Sequence, residues 1–165
     1  MMKIDREFLA LQLRYSQWAS ERSLDAASPL NEEELNRDLN NSHGGVLGTL
    51  VHVYQGDRIW LSRLTGNPRS TLADAGESWT MEALRKAWME NHARFQEWIK
   101  TADPEQILHY KNLAGVPGSL PIWKVILHVV NHASYHRGQI TTMLRQLGQS
   151  PVSTDLHTFY LQDVS

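Results

Sequence analysis

A chain of 165 residues holds one domain with a core of its own and is short for two, and 41% apolar with 21% charged residues is the composition of a folded globular protein. The net charge of −2 gives no general attraction toward polyanions, which leaves nucleic-acid binding without electrostatic support. With no cysteine there is no disulfide, no thiolate metal site and no protein-thiol nucleophile, so histidine and carboxylate are the strong ligands left.

The opening MMKIDREF runs straight into a charged amphipathic pattern unlike a signal peptide, and no apolar run approaches a membrane span. A cytoplasmic setting is expected. The first helix is predicted from about Asp5 to about Ala26, with Phe8, Leu11, Tyr15, Trp18 and Ala19 as one stripe, closed by Ser28-Pro29. A helical turn with Asn31 as its N-cap follows, then an Asn-rich link through Asn40-Asn41-Ser42. The second long helix is expected from His43 to Leu64, with Leu47, Leu50, Val51, Tyr54, Leu61 and Leu64 facing the core. His52 lies just off that stripe, beside Gly45, Gly48, Thr49, Gly56 and Ile59. Small residues there leave space for a ligand, or allow close helix packing.

Residues 68–78 read as a surface loop. The third long helix starts near Thr80, carries Leu84, Trp88, Phe95, Trp98 and Ile99, and ends before Asp103-Pro104. The segment from Gln106 to Lys111 is expected to pair with Gly115–Ser119 as a short hairpin. The fourth long helix runs from Pro121 to Leu147, capped by Gly148. A short C-terminal helix from Ser153-Thr154-Asp155 packs Leu156, Phe159 and Tyr160 back onto the rest. The fold class predicted is all-α: a single-domain four-helix bundle with a long crossover between the third and fourth long helices.

Three histidines recur at four-residue spacing in the last long helix. His128, His132 and His136 fall within an arc of about 80°, with Val125, Gln139 and Met143 on the same side. The opposite side, with Trp123, Ile126, Leu127, Val130 and Leu144, is apolar, so the helix is expected to be buried over much of its circumference. Histidines at i and i+4 can share one ion, although a buried histidine satisfied by ordinary hydrogen bonds is the commoner case. His43, His92, His109 and His157 lack ligand spacing and read as solvated or locally bonded. His128 reads as a neighbour of a ligand or as a core residue.

The run Asn131-His132-Ala133-Ser134-Tyr135-His136-Arg137-Gly138-Gln139 resembles the signature of the DinB family of four-helix proteins. Trp18-Ala19, the Leu50-Val51-His52 step followed by Trp60-Leu61, and the closing Thr154-Asp155-Leu156 extend that resemblance over nearly the whole chain. It implies that His52, His132 and His136 bind one divalent metal ion with open positions left over, and that the protein is a homodimer. Many members carry a histidine where this chain has Tyr135, which bears on the pocket and not on the three ligand positions.

An ion held by three neutral imidazoles keeps its full charge and acts as a strong Lewis acid. Zinc, nickel, iron and manganese all accept such ligands. DinB-like relatives include thiol transferases and hydrolases, so the resemblance implies a metal-dependent enzyme using a low-molecular-weight thiol or a thiol conjugate. The alternative is a non-catalytic dimeric stress-response protein with a structural or sensory ion. DNA binding has no support: Lys124, Arg137 and Arg145 form no basic stripe, and Trp60, Trp79, Trp88, Trp98 and Trp123 read as packing residues.

Overall fold

Each helix starts where a side chain or backbone can take up its orphan N–H groups. In the computed structural model, which describes residues 4–163 except 70, 75 and 152, α1 (Arg6–Ala27) begins with Asp5 accepting from the Phe8 amide at 2.7 Å. The short α2 (Glu32–Asn36) has a complete capping box, with Asn31 and Glu34 each accepting from the other's backbone N–H. Thr80 caps α4 (Met81–Ile99) through the Ala83 amide. The α5 helix (Ile122–Gln146) starts after Pro121, whose missing N–H costs nothing at that position, and ends with Gln149 N–H bonded back to the Leu144 carbonyl. The residues Met1 to Lys3, and Ser70 and Ala75 of the expected loop, lie outside the described residues.

α3 (Val46–Leu64) starts three residues later than the apolar pattern predicts. An Asn41–Gly44 bridge closes a tight turn, and Gly44 has φ +76°, a conformation that ends helical continuity on its N-terminal side. His43 therefore sits in a turn ahead of the helix.

The four long helices pack as a ring of neighbours, α1 and α3 each lying against both α4 and α5. The core has two main parts. One joins Leu24, Leu50, Tyr54, Trp88, Ile140 and Met143 from all four helices, and the other joins Leu9, Leu13, Leu61, Phe95, Ile99 and Ile126. At about 25 cal/mol per Å² of apolar surface removed from water, these side chains dominate the stability of the chain. The closing α6 (Leu156–Asp163) docks on α1 as expected: Phe159 meets Tyr15 and Trp18 at 5.7 and 5.6 Å, and the Tyr15 hydroxyl donates to the Thr154 carbonyl.

The crossover carries one antiparallel hairpin, β1 (Ile107–Lys111) and β2 (Pro117–Pro121), paired Ile107 to Pro121 through Lys111 to Pro117. Its second strand runs two residues further than the sequence suggested, because Pro121 closes the ladder before the helix begins. Gly118 faces Tyr110 across the ladder, and a Cβ at Gly118 would lie 2.6 Å from the Tyr110 ring. The ring instead reaches Trp60 on α3, edge to face at 5.0 Å, which pins the hairpin over that helix. Among the described residues no helix is long and apolar enough to cross a membrane.

Candidate metal centre

α3 presents His52 to the face of α5 that carries His128, His132 and His136. The rings of His52, His132 and His136 form a triangle with centroids 5.1, 4.6 and 4.6 Å apart. The Nε2 atoms of His52 and His132 are 3.2 Å apart. His43 lies flat on His52, centroids 3.7 Å apart, and its ring is 5.3 Å from that of His136. One ligand nitrogen from each of His43, His52 and His136 lies within 4.8 Å of the others, so three histidines stand close enough to hold a metal ion.

Two glycines of α3 make this approach possible. A Cβ at Gly56, one turn after His52, would lie 2.9 Å from Cε1 of His132. At Gly48 it would lie 2.2 Å from the His43 carbonyl oxygen, so a bare backbone there lets the turn bearing His43 fold against the helix. Beside His52 the small residues admit the rings of His43 and His132, and Gly56 and Ile59 also line open space next to it.

The environment favours the neutral form of His43, His52 and His132. Burial pushes the pKa of His52 down to about 4, with repulsion from His43, His136 and His132 adding to it. His132 is likewise lowered to about 4, by burial first and then by His136, His128 and His43. Burial, then His136, lowers His43. His136 is buried, and its Nδ1 lies 2.7 Å from Oε1 of Gln139. An amide oxygen only accepts, so that nitrogen carries the hydrogen and Nε2 keeps the lone pair. Beside the cluster opens a cavity of about 430 Å³ lined by His52, Ile59, Trp60, His128 and His132 among others, with no Asp or Glu on its wall among the described residues.

The sequence model described as the DinB family matches residues 3–162. The chain belongs to the DinB family. This DinB-family chain is also 25% identical over 149 residues to Protein DinB of Bacillus subtilis (strain 168), covering 86% of this chain and 87% of that one. Its fold is similar to the crystal structure of a DinB-like protein from Bacillus cereus ATCC 10987, with a TM-score of 0.65 at 18% identity over 86% of this chain and 94% of that one.

The structure departs from the sequence expectations at four residues. His43, read as solvated or locally bonded, stacks on His52. Its position in a turn removed any helical spacing that would have signalled it, and the Gly44-Gly45 pair behind it was the available clue. His92, also read as solvated or locally bonded, is within α4, buried and stacked on Trp88, and burial with Arg137 nearby pushes its pKa down to about 3. His128 is not a core residue: it is exposed on the cavity wall, edge-on to Trp60 at 5.4 Å and 6.0 Å from His132. Tyr135 is 66% exposed and touches His136 edge-on, outside the cavity wall.

Proposed function

We propose that this DinB-family chain binds one divalent metal ion through Nε2 of His52, His132 and His136, and that it is a thiol transferase or hydrolase acting on a small molecule. The observation that carries the reading is the 3.2 Å between Nε2 of His52 and Nε2 of His132. Two nitrogens bound to one tetrahedral ion at ~2.0–2.1 Å stand about 3.3 Å apart, so the pair already has a ligand separation. Two neutral imidazoles placed this way, with a third oriented by Gln139, fit the ion's chemistry.

A divalent ion held there supplies Lewis acidity toward a thiol or water. The chain's own contribution is to keep the His52 and His132 imidazoles deprotonated, to orient the His136 ring through Gln139, and to offer a partly apolar cavity walled by Ile59, Trp60, Leu72 and Leu113. That open space next to the histidines favours a small-molecule reaction over a closed structural ion. Among the described residues no Asp or Glu lines the wall as a ready proton acceptor. Nitrogen donors alone accept zinc, nickel, iron or manganese. The homodimer implied by the resemblance belongs to the same proposal, and sedimentation velocity tests it.

Elemental analysis of the purified protein tests the ligand set. The expected result is one equivalent of metal in the wild type and in His43→Ala, with at least tenfold weaker binding in His132→Ala. Equal metal content in wild type and His132→Ala overturns this assignment, and loss in His43→Ala alone moves the site to His43, His52 and His136. Chelation separates an enzyme from a structural ion. Because Leu50 and Tyr54 of α3 already share a core with Ile140 and Met143 of α5, the metal-free protein is expected to keep its cooperative melt and lose its activity. Unfolding on chelation favours the structural reading.

A further inference from the structure

A second cavity of about 690 Å³ is lined by the hairpin, and Arg63, Asn112 and Leu113 line both it and the cavity beside the histidines. Among the described residues no Asp or Glu lines either cavity, although the chain as a whole carries more acids than bases. The basic groups lining the second cavity are Arg63, Arg69, His109 and Lys111, and those lining the first are His52, His128, His132 and Arg63.

Arg63 differs from its neighbours. Arg58 holds Glu77 through two nitrogens at 2.7 and 3.0 Å, and Arg69 is bonded to Asp74. Among the described residues Arg63 has neither a carboxylate nor a hydrogen-bond partner, yet only 8% of its surface is exposed. What holds it is aromatic: its guanidinium lies 4.5 Å from the Trp60 ring centroid and 5.4 Å from that of Tyr110. Burying a guanidinium without a counter-charge is costly, whereas the same group with its planar fork available pairs strongly with a carboxylate.

His52, Gly56, Ile59 and Arg63 fall on one face of α3, three turns from first to last, roughly 16 Å along the helix axis. We propose that Arg63 is the anion-binding residue of this cleft, seating the carboxylate of an elongated, partly apolar organic acid whose other end reaches the histidines. The inference deepens the proposed function and rests on it for what the ligand is bound for, but the anion contact itself does not need the metal.

The test is a titration of the full-length protein, as purified and after chelation, with 4-phenylbutyrate and with its uncharged amide. The indole N–H of Trp60 and the Nε–H of Arg63 are followed by two-dimensional NMR. The acid is expected to bind at least tenfold tighter than the amide in both samples and to move the Arg63 resonance. Arg63→Gln is expected to remove the preference for the acid and leave amide binding within twofold. Equal affinity for acid and amide, an Arg63 resonance that does not move, or a preference that survives in a folded Arg63→Gln protein overturns the proposal. A preference that disappears on chelation also overturns it, because the carboxylate was then on the ion. The wild-type readouts decide the matter if the variant does not fold. The metal reading stands or falls separately, on the His132→Ala metal content.

Discussion

Gly56 shows how one missing methyl group sets the chemistry of the site. The ring of His132 occupies the place its Cβ would take, with Cε1 at 2.9 Å. In Gly56→Ala the backbone gains about 1 kcal/mol of helix preference, and the outer end of an imidazole can swing away more cheaply than a helix can move. The protein is therefore expected to melt at or slightly above the wild-type temperature while binding metal at least tenfold more weakly. Calorimetry and a competitive chelator titration check the two halves. Loss of stability with metal affinity unchanged would show that the methyl displaces the helices and leaves the His52–His132 pair intact.

At the scale of elements, α3 is placed by what packs on its glycines and aromatics. The turn ahead of it rests its His43 carbonyl on Gly48, α5 brings His132 to Gly56, and the hairpin lays Tyr110 on Trp60. The loop after it is tied back by Arg58, which donates to the Leu72 carbonyl and to Glu77, so that Leu72 joins the cavity wall. In Gly48→Ala the new methyl meets a backbone carbonyl at 2.2 Å, which cannot rotate away as a side chain can. The turn bearing His43 is expected to shift, at about 1–3 kcal/mol of stability. The contact between the His43 and His52 rings, followed by NOE, is expected to disappear. Metal stoichiometry is expected to stay at one, since the proposed ligands lie elsewhere.

Across the whole molecule, stability responds to pH through partly or fully buried histidines on one side and Asp57 on the other. The folded state holds His52 and His132 near pKa 4 and His92 near 3, below their ordinary 6.5. As pH falls below 6.5 the unfolded chain takes up protons that the folded one refuses, so these residues withdraw stability down to pH 3–4. Asp57 acts in the other direction. Fully buried, it accepts from the Trp88 indole at 2.8 Å, and burial raises its pKa from 3.8 to about 7 against the opposing effects of that hydrogen bond and of Arg137. Its protonated form is favoured by folding, so stability is present at low pH and lost as pH rises through 7. Asp57→Asn keeps a partner for Trp88 without the buried charge. Its stability relative to wild type is expected to grow by up to about 4 kcal/mol between pH 4 and pH 8. Urea unfolding of metal-free protein at both pH values measures it, and a pH-independent difference would mean that Asp57 is paired as an anion throughout.

The sequence alone determined the helices, because a 3.6-residue apolar period and local caps at Asp5, Asn31 and Thr80 act over short stretches of chain. The spacing of His132 and His136 came from the same periodicity, and the resemblance added His52 from another helix. What tertiary structure alone decided was everything that depends on one element meeting another. His43 reaches His52 only because a turn closes at Gly44 and rests on Gly48. Gly56 matters only once α5 lies beside it, and Arg63 becomes an unpaired cation between two rings only when the hairpin folds over α3. Such contacts join residues far apart along the chain, and a local pattern carries no trace of them.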